Sequence, residues 1–406
     1  MSKQTQDTTF KDTTPENASY QAWLAVVAMA LAVFTVVSAE MLPIGLLTPI
    51  AESLSQSVGL TSLIISTPSF VAAITAPCVV LIFNRINRRK LLLLFMLLLL
   101  LSNIAAALIN DFYWLLLARV LFGISMGGIW SLAGSMAARL VPSHQASLAA
   151  SIIFSGIAAA SVLGIPLGVF LGDAYGWRMV FICVAILTAV VAVLMFLTLP
   201  SLVAREGSSW SQASNILKQK NIWIGMAATL LIVVGHFSAY TFIRPLLQDI
   251  AQFADQSIGT LLLAFGVFGI IGNFICGFSL NKYLWQTIFG IAALLTLSIA
   301  TFLIIGHSQI MSASLLMLWG LAYGGVSVSV TTWMIRAAPQ HIEISTASNT
   351  AIFNLSIGTG ALIGGLSYDH FGILYNVVLA SVFTALAAAL ILYSVKAAVV
   401  PKNLGS

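Results

Sequence analysis

Beyond residue 20 the chain is a succession of apolar runs, separated by short breaks of polar residues, glycine or proline. About 20 apolar residues are what an α-helix needs to cross the hydrocarbon core of a bilayer. The pattern predicts helices near 21–49, 59–83, 90–109, 112–138, 146–172, 177–199, 221–248, 257–280, 283–305, 309–335, 344–368 and 372–396. The breaks fall at Asn84 to Lys90, Asn110–Asp111, Pro142, Gly176, Pro200, Asp255, Pro339 and Gly372. The expected organisation is a tail at 1–20, a six-helix bundle at 21–200, a polar linker at 201–220, a second six-helix bundle at 221–396 and a tail at 397–406.

The second bundle repeats the first in the same direction. GISMGGIWSLAGSMAARLVP at 123–142 lies without a gap over GLAYGGVSVSVTTWMIRAAP at 320–339, and SAEMLPIGLLTPIA at 38–51 lies over SAYTFIRPLLQDIA at 238–251. Parallel repeats of this size are the signature of two membrane bundles facing each other across a path. The fold class expected is an all-α membrane protein with twelve transmembrane helices in two parallel-repeat bundles.

Composition narrows this reading. Hydrophobic residues make up 60% and charged residues 7% of the 406, against roughly 25% charged in a soluble domain. Lipid must therefore be the main solvent, and helices satisfy their own backbone groups there. Long apolar runs, as opposed to alternating segments, argue against a β-barrel. The polar first 20 residues carry no apolar core of a signal peptide. Cys78, Cys183 and Cys276 all fall inside apolar runs and offer neither a disulfide framework nor metal spacing.

The net charge of +5 has a topological meaning. With both termini cytoplasmic, the inner segments hold 14 of the 17 basic residues, the outer ones hold Arg178 and Arg244, and Arg119 lies within a span. That asymmetry predicts a multi-pass protein of a bacterial inner membrane with both ends inside, and removes the case for a nucleic-acid partner.

Ionisable groups inside spans point to function, because burying one in lipid is costly. Glu40 in the first helix and Arg119 in the fourth are the two carboxylate or guanidinium groups well inside. Helix arithmetic puts them roughly 15 Å and 10 Å from the outer ends of their helices, so they can share one cavity if those helices are neighbours. Glu40 is expected to carry a proton and Arg119 to modulate it; the alternative is a static pair locking two helices. In the repeat Glu40 corresponds to Tyr240 and Arg119 to Leu316, so this chemistry belongs to one half.

The seventh helix sets His236, Tyr240 and Arg244 on one face at i, i+4 and i+8. His236 either titrates near neutral pH or donates to a neighbouring carbonyl; Arg244, ahead of Pro245, reads as an anchor or gate. Together with His236 and Tyr240, Trp130, Asn273, Trp333, Asn349 and Asn354 are candidates to line a substrate cavity. Gly164, Gly168 and Gly172 recur every four residues around Pro166, as Gly360 and Gly364 do later, spacing that lets helices approach closely. Asn84, Arg85, Arg88 and Arg89 form a basic loop between the second and third helices, for which positive-inside anchoring is a sufficient explanation. No phosphate-binding loop, HExxH, GxSxG or CxxC occurs, so neither an ATP-driven pump nor an enzyme is supported.

At AEMLPIGLLTPIA (39–51), ARVLFGISMGGIW (118–130), ARLVP (138–142), GIPLGVFLGDAYGWRMVF (164–181) and FIRP (242–245) the chain resembles the major facilitator superfamily. Within it, the drug:proton antiporter-1 group is most similar, in particular its bacterial sugar-efflux and purine-ribonucleoside-efflux permeases. The resemblance implies a fourth-helix arginine at Arg119, a fifth-helix antiporter motif at Gly164, Pro166 and Gly168, and a first-helix acid at Glu40. It departs from the family at the loop motif, where Val80, Asn84 and Asn87 stand in place of Gly, Asp and Gly. The function implied is proton-coupled antiport of a small polar solute such as a sugar or purine nucleoside, with the proton gradient in place of a cofactor. A single chain in the lipid bilayer would suffice. Multidrug efflux, an uptake symporter and, from a different class, a membrane sensor are the alternatives.

Overall fold

The computed structural model describes residues 18–83, 86–202, 217–280 and 282–396. Twelve helices among the described residues are long and apolar enough to cross a membrane. We label them α1 (Tyr20–Gly45), α2 (Val58–Leu81), α3 (Arg88–Leu108), α4 (Phe112–Leu140), α5 (Ser143–Tyr175), α6 (Trp177–Thr198), α7 (Lys220–Tyr240), α8 (Asp255–Leu280), α9 (Leu284–Ile305), α10 (Gln309–Ala337), α11 (Ile344–Phe371) and α12 (Ile373–Val395).

The polar breaks seen in sequence start and stop these helices. Ser19 accepts from the Ala22 amide at the start of α1, and Asp111 accepts from Tyr113 and Trp114 at the start of α4, which satisfies amides that have no intrahelical partner. Gly176 between α5 and α6, and Gly372 between α11 and α12, both take φ near +80° (84° and 81°). That left-handed backbone favours glycine, and the two turns occupy equivalent places in the repeat.

Packing repeats as the sequence does. In the first half α2 packs on α4, α1 on α5 and α6, and α3 on α4 and α6. In the second, α8 packs on α10, α7 on α11 and α12, and α9 on α10 and α12. The halves join along two seams, α2 with α11 and α5 with α8. The first half has an apolar core of its own, whereas that of the second half takes in Ile44, Leu47, Ile65, Ile165 and Val169 from the first; Met41 packs against both. Large apolar side chains remain on the outside, such as Phe278 (83% exposed) and Ile304 (78%), as expected of a surface solvated by lipid.

Three helices depart from the regular spans read in sequence. The first expected helix continues to 49 and the seventh to 248, yet α1 ends at Gly45 and α7 at Tyr240. Proline is the cause in both: it has no N–H to continue the ladder and its ring crowds the preceding turn. Pro43 lies just before the break at Leu46, after which a short helix Leu47–Ser53 resumes. Pro245 lies just after the break at Thr241–Phe242 and leads into a π-helical turn, Leu246–Ile250. In α5 a π-helical turn over Ala160–Gly164 precedes Pro166, absorbing the bond that the proline cannot make.

A fourth helix, α10, departs in a way that separates aligned sequences. Gly127–Gly128 lie inside an uninterrupted α4, whereas the aligned Gly324–Gly325 break α10. The break accompanies backbone contact with α8: a Cβ at Gly324 would lie 1.8 Å from the Gly269 carbonyl oxygen, and one at Gly272 would lie 1.8 Å from that of Leu321. Rigid backbone cannot yield, so Gly324→Ala should destabilise the protein by about 1–3 kcal/mol. Gly277→Ala, where a Cβ meets nothing within 4 Å, should be neutral or stabilising. Thermal unfolding of the two variants in detergent checks the contrast.

Candidate functional site

Helices α1 and α4 are neighbours, and Arg119 is wholly buried between them and α2. Its Nε donates to the Ile64 carbonyl at 3.0 Å and its Nη2 to the Ala39 carbonyl at 3.3 Å. The guanidinium carbon lies 4.2 Å from the centre of the Phe122 ring, an arrangement that favours a cation in a desolvated place. The third nitrogen, Nη1, is buried with no hydrogen-bond partner.

Glu40 follows Ala39 directly and is 5% exposed. It makes no ion pair with Arg119, in contrast to Arg244, which pairs with Asp173 and Asp255. The two charges nevertheless act on each other through space. Arg119 is thus bonded to backbone carbonyls of α1 and α2 and sits near the acid without being locked to it.

Across from Glu40 the second half presents a column of rings. His236 and Tyr240, one turn apart on α7, stack with centroids 4.7 Å apart. Tyr323 of α10 lies on His236 at 3.4 Å and 8°, and Phe265 of α8 lies on Tyr240 at 4.6 Å and 26°. Trp319 stands edge-on to the column and donates its Nε1 to His236 Nδ1 at 2.9 Å. An indole can only donate, so Nδ1 is the acceptor and the imidazole proton is on Nε2. Nε2 is buried without a partner. The carbonyl partner considered from sequence is replaced by an indole, and the histidine accepts at that contact. Tyr323 is half-buried and within electrostatic range of Glu40. Tyr323 is therefore the ring of the column that feels the acid of the other half through space.

The remaining cavity candidates scatter. Trp130 is half-buried on α4 and Asn273 exposed on α8. Trp333 is buried and donates to the Asn221 carbonyl at 3.0 Å, its ring filling the space over Gly225. Asn349 accepts from Thr229 at 3.1 Å, joining α11 to α7, and Asn354 donates to Thr350 in its own helix at 2.9 Å. Gly164 and Gly168 admit Ser38 and Leu42 of α1, so the glycine–proline motif packs α5 inside the first half. It is the flank with Ser161 and Phe170 that meets Gly266 and Gly259 of α8.

Asn84 and Arg85 lie outside the described residues. Of their neighbours, Arg88 Nη1 donates to the Phe83 carbonyl at 3.2 Å, Arg89 Nη2 to the Phe196 carbonyl at 2.6 Å and Asn87 to Ser201, at the start of the linker, at 2.7 Å. Trp319, Tyr323 and Phe265 were missed in sequence because lone aromatics in apolar runs look like packing. The one available signal was that Trp319 precedes the repeated glycine stretch and Tyr323 lies within it.

The ends of the helices remote from the termini carry a different set of contacts. Arg244, 3% exposed, donates to the Gly45 carbonyl at 3.0 Å and to Asp173 at 2.9 Å, with Asp255 at 3.7 Å. It thereby ties the interrupted α7 to the last carbonyl of the interrupted α1, where the helix dipole favours a cation. Asp369 of α11 accepts from the Ser57 hydroxyl at 2.5 Å and from the Gly59 amide at 2.9 Å, and Ser62 donates to the Ala361 carbonyl at 3.0 Å. All of these except the contact with Asp255 join one half to the other.

The sequence model described as Major Facilitator Superfamily matches residues 29–348. The chain belongs to that superfamily. A purine ribonucleoside efflux pump, NepI, of Salmonella enteritidis PT4 is 31% identical over 374 residues, covering 92% of this chain and 94% of the relative. The NepI of Salmonella typhimurium LT2 gives the same figures. Among solved structures, a bacterial homologue of the human lysosomal transporter Spinster, inward-facing and unoccupied, superposes with a TM-score of 0.74 at 16% identity, covering 96% of this chain and 99% of that one. The human organic anion transporter MFSD10 gives 0.67 at 17% identity, covering 91% and 99%. These two show the fold.

For a major facilitator transporter, bonds across the halves at one end of the molecule hold that end shut. Arg244→Gln should release the pair with Asp173 and the bond to Gly45, a loss of about 1–3 kcal/mol from that closed end. With spin labels on cysteines at Glu52 and Gln256, both exposed at this end, the measured distance distribution should shift to longer values. An unchanged distribution would remove Arg244 from the closure.

Proposed function

We propose that the chain is a proton-coupled antiporter that exports a purine ribonucleoside or a closely related small polar solute by alternating access. The observation that carries this reading is Glu40: a buried acid between the two halves, near a cation that is bonded elsewhere. A carboxyl group in that position can take a proton when it faces one side and release it when the halves rock and its surroundings change. Moving one charge through 100 mV supplies about 2.3 kcal/mol, roughly a 50-fold gradient of a neutral solute. One titrating acid is therefore sufficient.

The class of solute is supported by the NepI relatives, which match over nearly their whole length, and by the aromatic column facing Glu40. Efflux in preference to uptake is supported by those relatives and by the fifth-helix glycine–proline motif. The charge asymmetry of the segments supports a multi-pass protein of a bacterial inner membrane with both termini cytoplasmic. In that orientation the bonded end is the outer one, and this state opens inward. One chain holds both halves of the path and acts alone.

In proteoliposomes with an imposed pH gradient, Glu40→Gln should reduce gradient-driven accumulation of adenosine to background. Exchange of labelled for unlabelled adenosine without a gradient should persist. Undiminished gradient-driven accumulation would remove Glu40 from the coupling.

A further inference from the structure

The ring column has two unlike ends. At Phe265 it merges with the apolar core of the second half. At Tyr323 it stops: one face of the phenol lies on His236, its edge meets Phe237, and no ring among the described residues covers the other face. The residue is half-buried and within range of the Glu40 carboxylate. A flat, half-buried ring that feels the acid of the other half and carries no second ring on its free side is a position where a planar group of a solute can stack.

We propose that the face of Tyr323 turned away from His236 is the platform on which a planar heteroaromatic part of the solute stacks. His236 acts behind it as a positioning residue. The bond from Trp319 fixes the tautomer and the plane of the imidazole, and at 3.4 Å and 8° the imidazole fixes the tilt of the phenol. Ring stacking is the form of recognition such a surface offers, since every nucleobase has a π-face. A pentose alone has none. The backbone break at Gly324–Gly325 follows the platform directly, so the ring stands at a joint of α10 and can change its angle when the halves move.

This inference rests on the proposed export of purine ribonucleosides and assigns the base of the solute to a place. In the repeat the aligned position is Met126, which is wholly buried. The platform therefore belongs to the second half, opposite the acid in the first.

The test is adenosine counterflow in proteoliposomes of the full chain, with wild type, Tyr323→Phe, Tyr323→Leu and Tyr323→Trp. The expected result is a KM within about twofold of wild type for Tyr323→Phe. For Tyr323→Leu a roughly tenfold rise is expected, the scale of one base–aromatic stack, with kcat little changed. Tyr323→Trp, with a larger face, should hold KM at or below the wild-type value, and it decides the matter if the leucine variant does not fold. An unchanged KM in Tyr323→Leu, or a large loss in both Tyr323→Phe and Tyr323→Trp, overturns the platform while export stands. Wild-type protein that moves no adenosine, with or without a pH gradient, overturns the proposed export and the platform with it.

Discussion

A guanidinium inside a membrane protein has to be solvated by something other than water, and in this chain two backbone carbonyls do it. Arg119 takes those of Ile64 and Ala39, which draws α2 and α1 to α4 and spends the cation's hydrogen bonds on structure. The consequence falls on Glu40, which sits next to one of those carbonyls and forms no ion pair. A buried acid paired to arginine would be fixed in its charged form. One that only senses the arginine through space keeps a protonation state that its surroundings can change.

The duplicated frame makes the differences between the halves informative. Helix contacts repeat almost pair for pair, as do the turn glycines at Gly176 and Gly372. What does not repeat is chemistry. Glu40 aligns with Tyr240, Arg119 with Leu316 and Met126 with Tyr323, so one half carries charge and the other carries rings. The aligned glycine pairs also diverge, leaving α4 continuous and α10 broken. In both helices the first glycine of the pair faces a neighbour's backbone, Ala72 for Gly127 and Gly269 for Gly324, but the approach is closer in the interrupted one, 1.8 Å against 2.8 Å for an added Cβ.

The two ends of the molecule are held by different means. Remote from the termini, Arg244 and Asp369 fasten one half to the other through charged and backbone groups. In the loop between α2 and α3, Asn87 donates to Ser201, Arg88 to the Phe83 carbonyl and Arg89 to the Phe196 carbonyl. The helix interruptions at Pro43 and Pro245 bring the ends of α1 and α7 to the first of these fastenings. There the last carbonyl of α1, at Gly45, and the guanidinium of Arg244, just past the end of α7, find each other.

Sequence by itself determined the twelve spans, the two parallel halves and the intramembrane pair Glu40 and Arg119. Apolar run length and the cost of buried charge are local properties that the order of residues states directly. It left open whether the pair touches, and could not tell Trp333, which is packing, from Trp319, which orients a histidine. Nor could it gather Tyr323, His236, Tyr240 and Phe265 from three helices into one column. Those are facts of distance between segments far apart in the chain. Only the packing of α7, α8 and α10 against one another, and of their half against α1, α2 and α5, decided them.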